Sequence, residues 1–301
     1  MPDGTKRSLV LIVREMWIHM VLIVVYVLLV SYLDISLYPW LDQFKLPVAV
    51  VTIPGTVIGL LLAFRTNSCY QRWWEARILW GAIVNDSRSW VRQLLEFSRT
   101  ASDDPAADPQ IRLMAYRQIG WCYALARNLR GQDPAQDLHR VLDDDEISAA
   151  VETANVPNRL LQTQSENLRE LYRNDRLELY QFVELERTLS NLTNWMGGCE
   201  RIRNTPFPGS YSRLVGRMIY MFIILLPFGL VDVYPISLVI ASLAIGISFL
   251  IIDRVAIHLQ DPFSNRPTDT TMLALSRTIE TNIRQMLGEQ KWPEMPEPEP
   301  A

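Results

Sequence analysis

The chain has 301 residues, 49% of them hydrophobic, with 29 lysines and arginines against 33 aspartates and glutamates. This slightly acidic balance argues against a nucleic-acid partner, and three widely spaced cysteines exclude a disulfide framework or a CxxC metal knuckle. The three histidines have no ligand spacing either, so the sequence predicts neither a metal site nor a bound cofactor.

The first apolar segment covers residues 9 to 33, and Lys6, Arg7 and Arg14 lie on its N-terminal side. A secretory signal has a similar layout. However, no small-x-small cleavage site follows the run, and Arg14 and Glu15 interrupt its start. We therefore expect a retained membrane span.

Three further apolar segments cover residues 46–64, 218–231 and 234–252. The first is free of charged residues over about the length that crosses a hydrocarbon core, and its Pro54 suits the first turn of a helix. The last two segments are separated by only two residues. They must therefore form a hairpin, with a tilt or a kink of the first at Pro227.

Four spans place both termini on one side of the membrane, and the loop charges indicate which side. Basic residues gather at the ends that face the termini, whereas the opposite loops, 34–45 and 232–233, hold one lysine and three aspartates. The basic residues are Lys6, Arg7, Arg14, Arg65, Arg72, Arg77, Arg213, Arg217 and Arg254, and the opposite loops hold Lys45, Asp34, Asp42 and Asp232. Because basic loops stay in the cytoplasm, both termini and the middle of the chain are expected to be cytoplasmic.

The middle of the chain, residues 65–212, alternates amphipathic helical patterns with turn signals that contain proline and glycine. We expect one helix to run from about Pro54 to Phe97, to leave the membrane near Arg65, and to pack its tryptophans on a helical domain. These tryptophans are Trp73, Trp74, Trp80 and Trp90.

The sequence thus predicts an all-α membrane protein with four transmembrane helices and a large helical cytosolic domain. The expected segments are 1–64 for the first two spans, 65–212 for the cytosolic domain, 213–255 for the last two spans, 256–288 for a C-terminal cytosolic helical region and 289–301 for a tail. The tail is rich in proline and poor in apolar residues, so we expect it to be disordered.

Catalytic motifs are missing, since the sequence has no GxSxG, P-loop, HExxH or GxGxxG pattern and no histidine in a recognisable catalytic context. We do not expect an enzyme. The acidic run at residues 143–146 lacks the alternating oxygen spacing and the glycine of a calcium loop. We interpret it as a solvated helix start.

The second span carries two adjacent rows of residues at helical spacing. They are the small row, Gly55, Gly59 and Ala63, and the neck row, Thr56, Leu60 and Phe64. A small row lets another helix approach closely. In one interpretation this contact lies inside one subunit, and Phe64 faces lipid or core. In the other, several copies surround an axis, and the neck row forms stacked rings that make a hydrophobic constriction.

Three motifs carry a family resemblance: FRTNSCYQRWWEARILWG at 64–81, GCERIRNTPFP at 198–208 and LQDPF at 259–263. Together and in this order they resemble the bestrophin family, in particular its bacterial members, over residues 5 to 288. The resemblance implies a homopentamer in the lipid bilayer of the bacterial inner membrane, with one axial pore for inorganic ions.

The resemblance also implies roles for particular residues. It places a hydrophobic neck at the neck row, matched through Phe64, which lies eight residues before Arg72 of the RWW motif. It places a second restriction, at the cytosolic exit, at Ile202, with Phe207 as a neighbour that could serve instead. Thr56 departs from the larger apolar groups of the family, so we expect a wetter outer neck.

Animal bestrophins open with calcium through an acidic cluster after the last span. The corresponding stretch here separates Asp261 from Asp269 by a proline-broken loop. The departure predicts no calcium clasp, and a pore that is open without calcium. The charged residues of the other two motifs could face the permeating ion, but we expect ion pairs between helices or subunits instead. They are Arg72, Glu75, Arg77, Glu200 and Arg201.

The permeant ion follows from the resemblance and from the loop charges. Animal members conduct chloride, and bacterial relatives include cation conductors. A hydrophobic neck has no fixed charge, so selectivity must come from dehydration and from the vestibule fields. The acidic outer loops favour monovalent cations, sodium or potassium. The alternatives are a chloride or other anion channel of the same architecture and a membrane scaffold that conducts nothing.

Overall fold

A computed structural model describes residues 2–36, 46–99, 104–230, 235–266 and 269–290. These residues form nine α-helices and three short 3-10 turns, without a strand. The helices are α1 (Pro2–Ser36), α2 (Val48–Phe97), α3 (Pro109–Leu129), α4 (Asp144–Val151), α5 (Val156–Arg173), α6 (Leu179–Asn204), α7 (Gly209–Leu225), α8 (Pro235–Gln260) and α9 (Met272–Met286). The predicted all-α fold is confirmed.

Four of the described helices are long and apolar enough to cross a membrane. The candidate spans are Ile12–Leu33 of α1, helix α2, Gly209–Gly229 at α7, and Ile236–Gln260 of α8. They share an apolar core that includes Ile12, Val27, Ile58, Ile219 and Leu238. The four apolar segments of the sequence therefore pack together as one helical bundle.

Helix α2 is one continuous helix of 50 residues, about 75 Å long at 1.5 Å per residue. It begins at Val48 after Pro47, so Pro54 lies inside the helix and its placement in the first turn was wrong. Proline lacks an N–H group, so the Val50 carbonyl one turn earlier loses its helical donor, which a membrane helix can tolerate. In the same turns the hydroxyl of Thr52 donates to the Val48 carbonyl (2.9 Å), and that of Thr56 donates to the Thr52 carbonyl (3.0 Å).

Helix α7 breaks next to Pro227, where the sequence predicts a tilt or a kink. The helix stops at Leu225 and continues as a 3-10 turn, Leu226–Gly229. The phenol of Tyr26 in α1 donates to the Ile224 carbonyl at 2.6 Å, which satisfies a carbonyl at the break. Gly229 packs directly on α2, where a Cβ would lie 2.4 Å from Cγ2 of Val51, so a larger residue does not fit.

The second core lies beyond the membrane spans and joins the C-terminal half of α2 to α3, α5, α6 and α9. Helix α6 runs antiparallel to α2, because Thr188 bonds Gln93 while Trp195, further along α6, bonds the earlier residue Asp86. The predicted packing of Trp80 and Trp90 is confirmed, since both are fully buried. That of Trp74 was wrong, because its side chain is 50% exposed.

Two predictions fall on residues outside the described ranges. The disorder predicted for the tail concerns mainly residues 291–301, but Glu289, just before them, is bonded to Arg112 and Arg284. Of the outer-loop charges, Asp42, Lys45 and Asp232 also lie outside the described residues, and no side-chain placement is described for Asp34.

The acidic run 143–146 begins a helix, as predicted, with three of its residues in the first turn of α4.

Candidate functional site

The neck row of α2 is exposed on the surface of the subunit. Thr56 is exposed, Leu60 is 56% exposed and Phe64 is 60% exposed. Lipid alone would explain such exposure within the membrane. The same face continues past the membrane end of the helix, since Trp74 and Ile78 follow Thr56 and Leu60 by 18 residues each, which is five turns at about 3.6 residues per turn.

Beyond the membrane this face remains apolar. Tyr70, Trp74 and Ile78 form an exposed patch, here called the lower patch, and Tyr70 stacks on Trp74 with ring centroids 6.4 Å apart. A contiguous exposed apolar patch marks a contact with another protein or with a membrane. The lower patch is therefore a candidate contact surface for other subunits.

The two glycines of the small row lie on a different face of α2 and pack inside the subunit. A Cβ on Gly55 would lie 3.0 Å from the ring of Phe222 in α7, and one on Gly59 would lie 4.0 Å from the ring of Phe249 in α8. These two rings meet edge-on at 5.4 Å. Ala63 is exposed and takes no part in this contact. The glycines seat α2 against α7 and α8, and the adjacent neck row then faces outward.

The charged residues of the motifs pair with other parts of the subunit. Arg201 of α6 forms an ion pair with Glu75 of α2, and Glu200 accepts a hydrogen bond from Asn155 at 2.8 Å. The guanidinium of Arg77 lies over a tryptophan ring of the same helix at 5.0 Å from the ring centre. Arg201 and Glu75 thus form the expected ion pair between two helices, whereas Glu200 bonds a neutral amide and Arg77 contacts a ring within its own helix.

The assignment of the cytosolic restriction to Ile202 is not supported by the structure. The Ile202 side chain is only 3% exposed and belongs to the cytosolic core, so it has almost no surface to present to a pore. Phe207 is half-buried and packs edge-on against Tyr211 at 5.5 Å. The hydroxyl of Tyr211 donates to the Leu61 carbonyl at 3.2 Å, so Phe207 lies at the membrane end of the cytosolic bundle.

The far end of that bundle presents apolar side chains that the sequence analysis missed. Leu179, Tyr180 and Val183, in the first turns of α6, are all exposed, Tyr180 by 85%. They lie far from the membrane, since the neighbouring Glu178 pairs with Arg99, just after the end of α2. The signal in the sequence was the run LYQFV at a helix start, which reads equally well as core packing.

The loop between α8 and α9 uses its carboxylates to hold its own turns. Asp261 accepts hydrogen bonds from the Ser264 hydroxyl and the Phe263 amide, and Asp269 accepts one from the Arg266 amide at 2.9 Å. Burial of Asp269 raises the pKa of its carboxyl to about 6. Within the described ranges, three His, Cys, Asp or Glu side chains nowhere come close enough to hold a metal ion.

Comparison with known proteins places these features in a family. A family model described as Bacterial/Fungal Bestrophin protein matches residues 8–285. The chain belongs to the bestrophin family. Bestrophins are ion channels and not enzymes, so this bestrophin is an ion channel protein of the membrane.

Two curated relatives and a solved structure show how far the similarity extends. The chain is 33% identical over 267 residues to the voltage-dependent anion channel-forming protein YneE of Salmonella typhi, covering 88% of this chain and 86% of the relative. It is 32% identical over 261 residues to YneE of Escherichia coli K12, covering 86% and 84%. The crystal structure of a bacterial bestrophin homologue from Klebsiella pneumoniae matches with a TM-score of 0.84 and 29% identity, covering 92% of this chain and all of that one.

Proposed function

We propose that this bestrophin forms a homopentameric channel that conducts monovalent anions through a neck made by Thr56, Leu60 and Phe64. The observation that carries the proposal is the orientation of α2. Its glycine face is seated on α7 and α8 of the same subunit, and its neck row and lower patch are exposed on one side. A ring of copies around an axis would cover the lower patch and turn the neck row toward the pore.

Anions take the place of the cations expected from the sequence. The cation expectation rested on outer-loop aspartates whose side chains lie outside the described part of the chain. The named relatives are anion channel-forming proteins, at 33% and 32% identity, and this supports the anion alternative. An aromatic ring also presents a positive edge, so rings of Phe64 turned edge-on would favour an anion over a cation.

An uncharged neck selects through dehydration. The narrow ring would be Phe64, and Thr56 would form a wider and more polar outer ring. The Thr56 hydroxyl donates to the Thr52 carbonyl, so it offers water only its lone pairs. The outer neck is therefore wetter than a ring of isoleucines, but it offers no free donor to a bare anion.

The cytosolic exit is proposed to lie at the far end of the bundle. Leu179 and Tyr180 are exposed and apolar there, in contrast to Ile202, which is buried. Phe207 remains a candidate for a contact nearer the membrane. In this arrangement, the channel is a multi-pass protein of the bacterial inner membrane, with both termini and the α3–α6 bundle in the cytoplasm.

The test is the reversal potential of purified protein in a planar bilayer under a tenfold potassium chloride gradient. Anion selectivity moves the reversal potential toward the chloride equilibrium value, which lies about 59 mV from zero for a tenfold ratio. A shift toward the potassium value would overturn the anion assignment and keep the channel. A complex of five that carries no current would favour the membrane scaffold.

A further inference from the structure

Two arginines that follow the neck row on α2 form bonds to α8, the last of the four spans. Arg65 contacts Asp253 of α8, and Arg72 contacts the carbonyl of Gln260 at the end of α8. In both pairs the two residues are 188 positions apart in the sequence, so a step of seven residues along α2 corresponds to a step of seven residues along α8. The two helices are therefore parallel and in register, and the two contacts lie about 10 Å apart along them.

The first contact is a buried ion pair directly after the neck. Arg65 follows Phe64 in the sequence and is only 1% exposed, and its guanidinium bonds the carboxylate of Asp253. A buried ion pair contributes little net stability, because desolvation offsets the attraction, but breaking one partner is costly. Such a pair resists axial sliding of one helix along another, since a slide of one turn would leave the buried Arg65 and the partly buried Asp253 without their partners.

The second contact is made by the Arg72 guanidinium, which bonds residues of two other helices, α6 and α8. Arg72 donates from Nη2 to the Ile202 carbonyl (2.7 Å), from Nη1 to the Thr205 carbonyl (2.6 Å) and from Nε to the Gln260 carbonyl (3.3 Å). Ile202 and Thr205 lie at the C-terminal end of α6, and Gln260 ends α8. Helix ends leave carbonyls without donors and carry about half a negative charge each, so one cation between two ends satisfies both.

We infer that Arg72, together with Arg65, is a positioning residue that fixes the height and rotation of the neck on α2. The inference rests on the proposed pore. Arg72 lies eight residues below Phe64, or about 12 Å along a continuous helix, so a shift at Arg72 reaches the neck as a rigid movement. Neither arginine touches the permeating ion in this role. Lysine keeps the charge but not the planar fork, and it does not reproduce three fixed bonds.

The test is a double-mutant cycle between Arg72 and Phe64. Unitary conductance is measured in planar bilayers for the parent, Arg72→Lys, Phe64→Ala and the double variant. If Arg72 acts by positioning the neck, Arg72→Lys changes the conductance several-fold in the parent and has little effect once Phe64→Ala has widened the neck. Arg77→Lys on the same helix is the matched control, and it should leave the conductance unchanged in both backgrounds.

Several outcomes would overturn the inference. One is an equal effect of Arg72→Lys with and without Phe64, since Arg72 would then act elsewhere. Another is unchanged conductance with a lower melting temperature, which would make Arg72 purely structural. If Arg72→Lys does not assemble, Arg65→Lys takes its place in the cycle, with the same expectation and the same contrary results. Failure of the proposed function is distinct, because the parent would then carry no current or show no change with Phe64→Ala.

Discussion

The membrane half and the cytosolic half of α2 follow the same helical spacing in different solvents. The membrane half buries Ile58 and exposes Leu60, and the cytosolic half buries Trp80 and exposes Ile78. In lipid, an exposed leucine is at no disadvantage. In water, an exposed isoleucine beside two aromatic rings is unfavourable, by on the order of 1 kcal/mol for each of these half-exposed side chains. The cytosolic half therefore provides the stronger support for the proposed ring of subunits around α2.

The largest expected effect is on subunit stability, and it separates the buried Trp80 from the exposed Trp74 in the cytosolic half of α2. Trp80→Ala leaves a cavity in the subunit core and should destabilise the subunit by roughly 3–5 kcal/mol. Trp74→Ala should keep the subunit folded and weaken the proposed pentamer. Thermal unfolding and size-exclusion chromatography in detergent separate the two effects. Equal losses of subunit stability would mean that Trp74 is not an interface residue.

A smaller effect is the dependence of stability on pH, which we expect from the loop between α8 and α9. The membrane half of α2 is uncharged and should show no such dependence. Burial raises the pKa of Asp269 to about 6 in the folded chain. The stability that this pKa difference contributes is complete below the pKa of the unfolded chain, near 4, and is lost as the pH rises through 6. Asp269→Asn stays neutral and keeps an acceptor for the Arg266 amide. The stability of Asp269→Asn relative to the parent should therefore rise between pH 4 and pH 7, by at most about 3 kcal/mol.

The control for this pH effect is the parent itself at low pH. At pH 4 the parent carboxyl is mostly protonated and should match the variant in melting temperature. A difference that is the same at pH 4 and at pH 7 would show that titration of Asp269 is not responsible.

In the membrane half, the two glycines of the small row should differ. A methyl group at Gly55 meets the Phe222 ring at 3.0 Å, whereas one at Gly59 meets Phe249 at an ordinary 4.0 Å. Gly55→Ala should cost about 1 kcal/mol or more, and Gly59→Ala should be neutral or slightly stabilising, because alanine favours helix. Melting temperatures of the two variants measure the contrast, and equal values would contradict the packing described for Gly55.

The smallest effect is expected at the top of the neck row. Thr56→Ile should lower the unitary conductance a few-fold by drying the outer ring, and Thr56→Ser, which keeps the hydroxyl, should not. Single-channel recording of both variants makes the comparison. Conductance of Thr56→Ile at or above the parent value would contradict the wetter outer neck.

The sequence predicts the fold well where one physical constraint dominates. Long apolar runs predicted the spans, and helical spacing predicted that Trp80 and Trp90 pack. The same spacing could not separate Trp80 from Trp74, because a face that meets another subunit is as apolar as a core. Pro54 was misplaced because a membrane helix tolerates proline at an interior position.

The candidate site was harder to predict than the spans. Ile202 was assigned from its motif alone, and its burial depends on the helices that pack around the end of α6. The partners of Arg72 are backbone carbonyls, which carry no signature in the sequence. The lower patch and the exposed start of α6 are ordinary apolar residues, and only the structure separates them from the core.

Cysteine accessibility tests the central claim, that the exposed face of α2 lines the pore. The three native cysteines are buried, so the background reaction is low. Leu60→Cys and Leu28→Cys are compared, since both side chains are exposed on the subunit but only Leu60 belongs to the neck row. A charged, water-soluble thiol reagent should block the current of Leu60→Cys and leave that of Leu28→Cys intact. Equal block, or block of Leu28→Cys alone, would place the pore elsewhere.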